Sequence, residues 1–299
     1  MKQSQKRLIR RLLQLLHLEK PLRSLYRSVL RLRLNRQYGN QTIHDVSIGG
    51  VTVHFSLEDL YSRRYFLLGN TMLPEPLITQ FIVERLPQAY TFVDIGANLG
   101  YYTCIAARLM PQGQVYAFEL DSMNLALTER NIQLNKFQNV KLEHAAVSNA
   151  TGTLDYVRDT DSPSQGFGLS TNQERDRQIG TLVKVTSFRL DDYFAGKMIA
   201  PAVFKIDVEG AELQVLQGME NLLNQPGITL FVEVHPEKIV GFGATANDVL
   251  NLLLDHGYQV YELNKLNIDQ PTPLTREAHL SLNNILYAMT APIEKVQDE

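Results

Sequence analysis

The chain has 299 residues, 44% of them apolar, enough for the core of one large domain with appendages. Its single cysteine, Cys104, excludes an internal disulfide framework and a cysteine-rich zinc site; a reducing compartment fits, and the expected role of Cys104 is that of a small buried hydrophobe. The net charge of −3 conceals an asymmetry, because residues 1–36 set eleven Lys and Arg against Glu19 alone, a net +10, and the remainder carries −13.

The stretch "LIRRLLQLLHL" (8–18) places Leu8, Ile9, Leu12, Leu13, Leu15 and Leu16 on one helical face, with Lys6, Arg7, Arg10 and Arg11 on the other. The apolar run is too short to cross a membrane, and Arg10 and Arg11 interrupt the core that a signal peptide needs. Two readings stay open: a helix resting on an anionic membrane surface, or one packing on its own domain or on a second subunit. No nucleic-acid reader motif occurs, so no nucleic-acid partner is expected, and the expected location is cytoplasmic, peripheral at the inner face of a membrane if the first reading holds. Pro21 predicts a break between helical pieces 5–19 and 22–36, making residues 1–40 a basic helical extension. "HDVSIGGVTVHFSL" (44–57) alternates around Gly49 and Gly50 and predicts a hairpin within a subregion 41–72.

A third region, 73–292, follows, ahead of a polar tail 293–299. It opens with a helix over 75–86, closed by Pro87. Strands are predicted at 91–95, 114–120, 140–147, 202–208, 228–234, 258–263 and 283–289, and helices at 100–109, 122–135, 209–224 and 245–256. This alternation predicts an α/β fold with a mostly parallel sheet and helices on both faces. Residues 150–190 interrupt it with paired strands, 152–157 and 181–188, around a polar loop long enough to be a lid.

Open α/β sheets bind ligands outside the carboxyl ends of their strands. "FVDIGANLG" (92–100) places Asp94 at such an end, with Gly96 and Gly100 permitting a tight turn. A dinucleotide site requires G-x-G-x-x-G, but Asn98 stands where the second glycine belongs, and an acid before the turn is unwelcoming to phosphate. The next strand ends in Glu119, 25 residues after Asp94, where a carboxylate can accept both hydroxyls of a ribose. A nucleoside with a cationic arm and no pyrophosphate suits these groups, and S-adenosylmethionine is the candidate cofactor. The bland alternative is a plain strand–turn–helix corner.

Taken together, "FVDIGANLGYYT", "VYAFELD", "RNIQLN", "HAAVSN", "FKIDVEGAELQVLQG" and "LFVEVHPE" resemble the FkbM-type S-adenosylmethionine-dependent methyltransferases from about Leu73 to about Leu263. The resemblance implies a Rossmann-like class I methyltransferase fold, with a seven-stranded sheet whose last strand is antiparallel, and methylation of a hydroxyl on a sugar, glycan or secondary metabolite. By position it implies that Asp94, Gly96, Asn98, Gly100 and Tyr102 line the methionine end of the cofactor, that Glu119 holds the ribose, and that Ala145 lies beside the adenine. His144 is expected to be a structural strand-end histidine. Leu120 stands where many relatives have proline. The basic extension gains no function from the resemblance.

"KIDVEGAEL" and "VEVH" place Asp207, Glu209, Glu233 and His235 at the ends of two strands, where they can surround one pocket. Methyl transfer to an alcohol requires removal of its proton, and His235 is the expected base, with Asp207 orienting the acceptor or the imidazolium. These groups also have the donor types for Mg²⁺ or Mn²⁺, but the expected assignment is metal-free. Glu212 is expected merely to meet the positive end of a helix, and Lys205 to pair with a buried acid. Two other classes remain: a non-catalytic cofactor-binding scaffold recruited through the tail, and a nicotinamide oxidoreductase, which the missing glycine disfavours.

Overall fold

The computed structural model describes residues 19–39, 41–67, 76–158, 169, 181–263, 272–278, 280 and 284–289. All of the expected helix over 5–19 except Glu19, most of the 158–180 loop and the tail 293–299 lie outside the described residues.

Helix α1 (Glu19–Tyr38) continues through Pro21, contrary to the predicted break. Leu30 and Leu34 of α1 are buried in the same core cluster as the hairpin residues Val46, Val53 and Phe55. The hairpin consists of β1 (Ile43–Ile48) and β2 (Val51–Ser56), and Gly49 (φ 56°) and Gly50 (φ 76°) form its turn. Helix α2 (Leu60–Leu67) is not anticipated by the hydrophobic pattern; its local signal is Asp59, whose carboxylate accepts from the Ser62 N–H at 2.8 Å as an N-cap does. Helix α3 (Pro76–Arg85) leads into the sheet.

The main sheet alternates with its helices in chain order: β3 (Thr91–Ile95), α4 (Tyr101–Leu109), β4 (Gln114–Glu119), α5 (Ser122–Leu134), β5 (Val140–Val147), β6 (Gly152–Arg158), β7 (Thr181–Phe188), α6 (Leu190–Tyr193), β8 (Ala202–Ile206), α7 (Glu212–Gln217), α8 (Glu220–Leu223), β9 (Ile228–Val234), α9 (Pro236–Ile239), α10 (Ala246–Asp255), β10 (Gln259–Glu262) and β11 (Asn284–Met289). Among the described residues the sheet has nine strands in the order β10-β11-β9-β8-β3-β4-β5-β7-β6, two more than expected. The extra pair is the β6–β7 hairpin of the 150–190 segment. Strand β7 adds in parallel to the free edge of β5, with Ala145 opposite Thr186, and Tyr156 and Val185 pack on Ala146. Covering that edge satisfies backbone groups that would otherwise be open to pairing. As expected, β11 is antiparallel to its neighbours β9 and β10.

The predicted helix 209–224 is two short helices, α7 and α8. Glu209 (φ 58°) and Gly210 (φ 113°) delay its start, and a Cβ at Gly218 would lie 2.1 Å from the Ser148 carbonyl, which fixes the break by close packing.

Alternating burial separates the two faces of the sheet. Val93, Ile95, Phe204, Ile206, Leu230 and Val232 belong to one core cluster, and Phe92, Val203 and Phe231 to the other. Strand β3 lies where the chain reverses direction across the sheet, with β4 and β5 on one side and β8 and β9 on the other. A crevice therefore opens beyond the carboxyl ends of β3, β4 and β8.

Candidate active site

That crevice contains a cavity lined by Gly96, Asn98, Glu119, Ala145, Asp207 and Glu209, among others, with an apolar wall that includes Ile95, Phe118, Val147 and Val208. Sequence reasoning had named all six of the first group as candidate site residues.

At one end, Glu119 is buried, and each of its oxygens holds a backbone N–H: Asn98 N donates to Oε2 at 2.7 Å and Asp121 N to Oε1 at 2.8 Å. Each carboxylate oxygen has two lone pairs, so one on each is left for a further donor. Burial pushes the Glu119 carboxyl up to about 7, against the pull of these two N–H groups. The Gly96 and Ala97 N–H groups both donate to the Phe118 carbonyl at 3.0 Å, so the turn's N–H groups are committed to the end of β4 rather than to a ligand. Asn98 is left-handed (φ 56°) and its Nδ2 donates to Tyr61 Oη at 2.9 Å. Tyr61 thus braces the turn from α2, a role that sequence reasoning missed.

Three expected cofactor residues do not line the cavity. Asp94 is on the opposite face of β3 from Ile95; its carboxylate accepts from Thr103 Oγ1 at 2.5 Å, and burial pushes its pKa up while the nearby Lys205 charge lowers it. Gly100 caps α4 at φ 78°, where a Cβ would come within 2.8 Å of Thr128 Cγ2, so it serves the packing of α4 on α5. Tyr102 is buried, with Lys205 Nζ 4.9 Å from its ring centroid. Gly96 lines the cavity, but the neighbour that a side chain there would strike is the Asp207 carbonyl, 1.9 Å from an added Cβ. His144 Nε2 lies 3.1 Å from the Leu120 carbonyl oxygen, and Cys104 is fully buried, its thiol pKa pushed up by that burial.

At the other end, Asp207 and Glu209 follow β8, Glu233 lies near the end of β9, and His235 follows it. All four come together. His235 is 5% exposed, with its Nδ1 2.8 Å from Glu212 Oε1. Its Nε2 lies 3.4 Å from Glu209 Oε2, 3.8 Å from Glu233 Oε1 and 3.9 Å from Asp207 Oδ1. Burial alone would lower the His235 pKa, but the Glu212 hydrogen bond and the surrounding carboxylates outweigh it and raise it. Lys205 holds Asp207 Oδ2 at 3.2 Å, and Lys238 holds Glu209 Oε2. Glu212, read from the sequence as a helix-dipole acid, is fully buried and orients His235.

The sequence profile described as the methyltransferase FkbM domain matches residues 94–260, which spans both ends of this cavity. The chain belongs to the FkbM methyltransferase family. Among its relatives, the hexuronic acid methyltransferase AglP of Haloferax volcanii is 25% identical over 193 residues, covering 64% of this chain and 73% of AglP. Methyltransferase sdnD of Sordaria araneosa is 28% identical over 164 residues, covering 46% of this chain and 63% of sdnD. The crystal structure of an FkbM methyltransferase from Methylobacillus flagellatus superposes with a TM-score of 0.40 at 18% identity, covering 67% of this chain and 44% of that one. The chain therefore spans less than two thirds of sdnD and of the solved FkbM protein. The shared FkbM region carries every candidate site residue except the bracing Tyr61.

Proposed function

We propose that this FkbM protein is an S-adenosylmethionine-dependent O-methyltransferase acting on a hydroxyl of a sugar, glycan or secondary metabolite. The observation that carries this reading is a cavity with a diol acceptor, Glu119, at one end and a cluster of carboxylates around an imidazole at the other. When bound, the cofactor supplies a methyl group on a sulfonium. Glu119 would hold its ribose, the apolar wall beside Ala145 its adenine, and Asp207 would face its cationic end. The commitment of the turn's N–H groups argues against a pyrophosphate, and hence against a nicotinamide cofactor. Asp207, Glu209, Glu233 and His235 are the groups that would activate the acceptor oxygen. A catalytic role for this cluster distinguishes the enzyme from a cofactor-binding scaffold.

Calorimetric titration with S-adenosylhomocysteine tests the cofactor half of this reading. Glu119→Ala should cost ~1.5–3 kcal/mol of binding, through loss of hydrogen bonds to a charged acceptor. The ionised carboxylate is the form that accepts both hydroxyls, so affinity should rise as pH climbs through about 7 and level off above it, and Glu119→Gln should flatten that rise. Unchanged affinity in both variants would move the cofactor elsewhere.

We further propose that residues 1–36 hold the enzyme at an anionic membrane surface. The support is their +10 charge and, on α1, the exposed stripe of Leu25, Val29 and Leu32 (59%, 54% and 69% exposed), opposite the buried Leu30 and Leu34. No helix among the described residues is long and apolar enough to cross a membrane. Full-length protein should co-sediment with anionic but not neutral liposomes, and removal of residues 1–18, which leaves the buried Leu30 and Leu34 in place, should sharply weaken this. Equal sedimentation of the truncated chain would make the tail a packing element.

A further inference from the structure

We infer that Asp207, Glu233 and His235 form a binding site for a divalent cation of the Mg²⁺/Mn²⁺ class. One donor atom from each, Oδ1, Oε1 and Nε2, lies within 4.8 Å of the others. His235 sets the terms. Its Nδ1 is hydrogen-bonded to the fully buried Glu212, whose Oε1 also accepts from the Gly210 N–H at 2.8 Å. A carboxylate fixed in this way holds the proton on Nδ1 and leaves the Nε2 lone pair pointing into the cluster, the arrangement by which proteins prepare a metal-binding imidazole.

That lone pair makes no hydrogen bond among the described residues. The oxygens of Asp207 and Glu233, 3.9 and 3.8 Å away, are too far to share a proton with it. They are at the separation expected of ligands, since two donor atoms each about 2.1 Å from one ion stand about 3.0–4.2 Å apart. Glu209 is nearer, but its facing oxygen Oε2 is held by Lys238. Lys205 holds Asp207 by the other oxygen, Oδ2, and so turns Oδ1 toward the cluster. One imidazole with two carboxylates is a mixed, mainly oxygen donor set suited to a hard divalent ion. Asp207 also lines the cavity, so the ion would have open positions on the acceptor side. On the methyl-transfer reading, a hydroxyl placed on the ion loses its proton more readily than in water.

The test is titration of the full chain with Mn²⁺, followed by loss of the free-ion paramagnetic resonance signal, without cofactor or acceptor. One ion should bind saturably per chain. Asp207→Asn, Glu233→Gln and His235→Gln should each weaken binding at least about ten-fold, and Glu212→Gln, which keeps all three ligands, should weaken it roughly 10–100-fold. Thermal unfolding of each variant without ion verifies that it is folded, and the conservative Glu212→Gln keeps the test open if a ligand variant is not. No saturable binding up to millimolar Mn²⁺, or binding unchanged in the folded variants, overturns the site. Parallel titration with S-adenosylhomocysteine keeps a failure here distinct from a failure of the methyltransferase reading.

Discussion

Replacing His235 with alanine should lower turnover per folded molecule by ~10²–10⁴-fold, the usual share of a group that assists proton removal in the transition state. Binding of S-adenosylhomocysteine should change by no more than about three-fold, because the loss falls on activation of the acceptor rather than on the cofactor. The basis is position: His235 is held by Glu212 at 2.8 Å and faces three carboxylates at the opposite end of the cavity from Glu119. A histidine that only closed β9 ahead of Pro236 would give a different result, a destabilised protein with normal turnover in its folded fraction. Release of S-adenosylhomocysteine, normalised to the folded fraction from circular dichroism, separates the two.

Gly96→Val should destabilise the fold by at least ~3 kcal/mol. The backbone at Gly96 has φ 83°, a conformation costly for any β-branched residue, and an added Cβ would stand 1.9 Å from the Asp207 carbonyl. That carbonyl belongs to the loop after β8, where the Asp207 N–H donates to the Ile95 carbonyl at 3.0 Å. Any shift that relieves the clash must therefore part β3 from β8 at the site. Urea unfolding should show a lower midpoint with little change in slope, and an unchanged midpoint would mean that the turn has room the structure does not show.

The two residues also mark how far a sequence can be read here. The strand ends at 94, 119, 207 and 233 were legible because hydrophobic runs end abruptly in acids, and the mostly parallel character of the sheet followed from the alternation of strands and helices. The need for glycine at 96 was legible too, but not its reason. Sequence argued for the approach of a ligand, whereas the group that crowds Gly96 is the carbonyl of Asp207, 111 positions later. Asp94 was misplaced because period-two alternation puts it on the face of β3 away from Ile95, toward Thr103, and a residue at a strand end can serve either face. Glu212 looked like an ordinary first-turn acid; only tertiary packing sets it against a histidine 23 residues later. The β6–β7 hairpin was recognisable as a pair, but nothing local specifies which sheet edge it joins.

The most direct test of the central claim is the fate of the methyl group. The full chain is incubated with methyl-¹³C-labelled S-adenosylmethionine and pooled sugars, lipid-linked glycans and secondary metabolites, and the labelled product is located by NMR. A new methyl ether on a hydroxyl oxygen is expected, reduced with Glu119→Ala at sub-saturating cofactor and strongly reduced with His235→Ala at any cofactor concentration. Label in a methyl ester, on nitrogen or on carbon would contradict O-methylation of a hydroxyl, and a cofactor that is bound but never consumed across the pool would make the protein a scaffold.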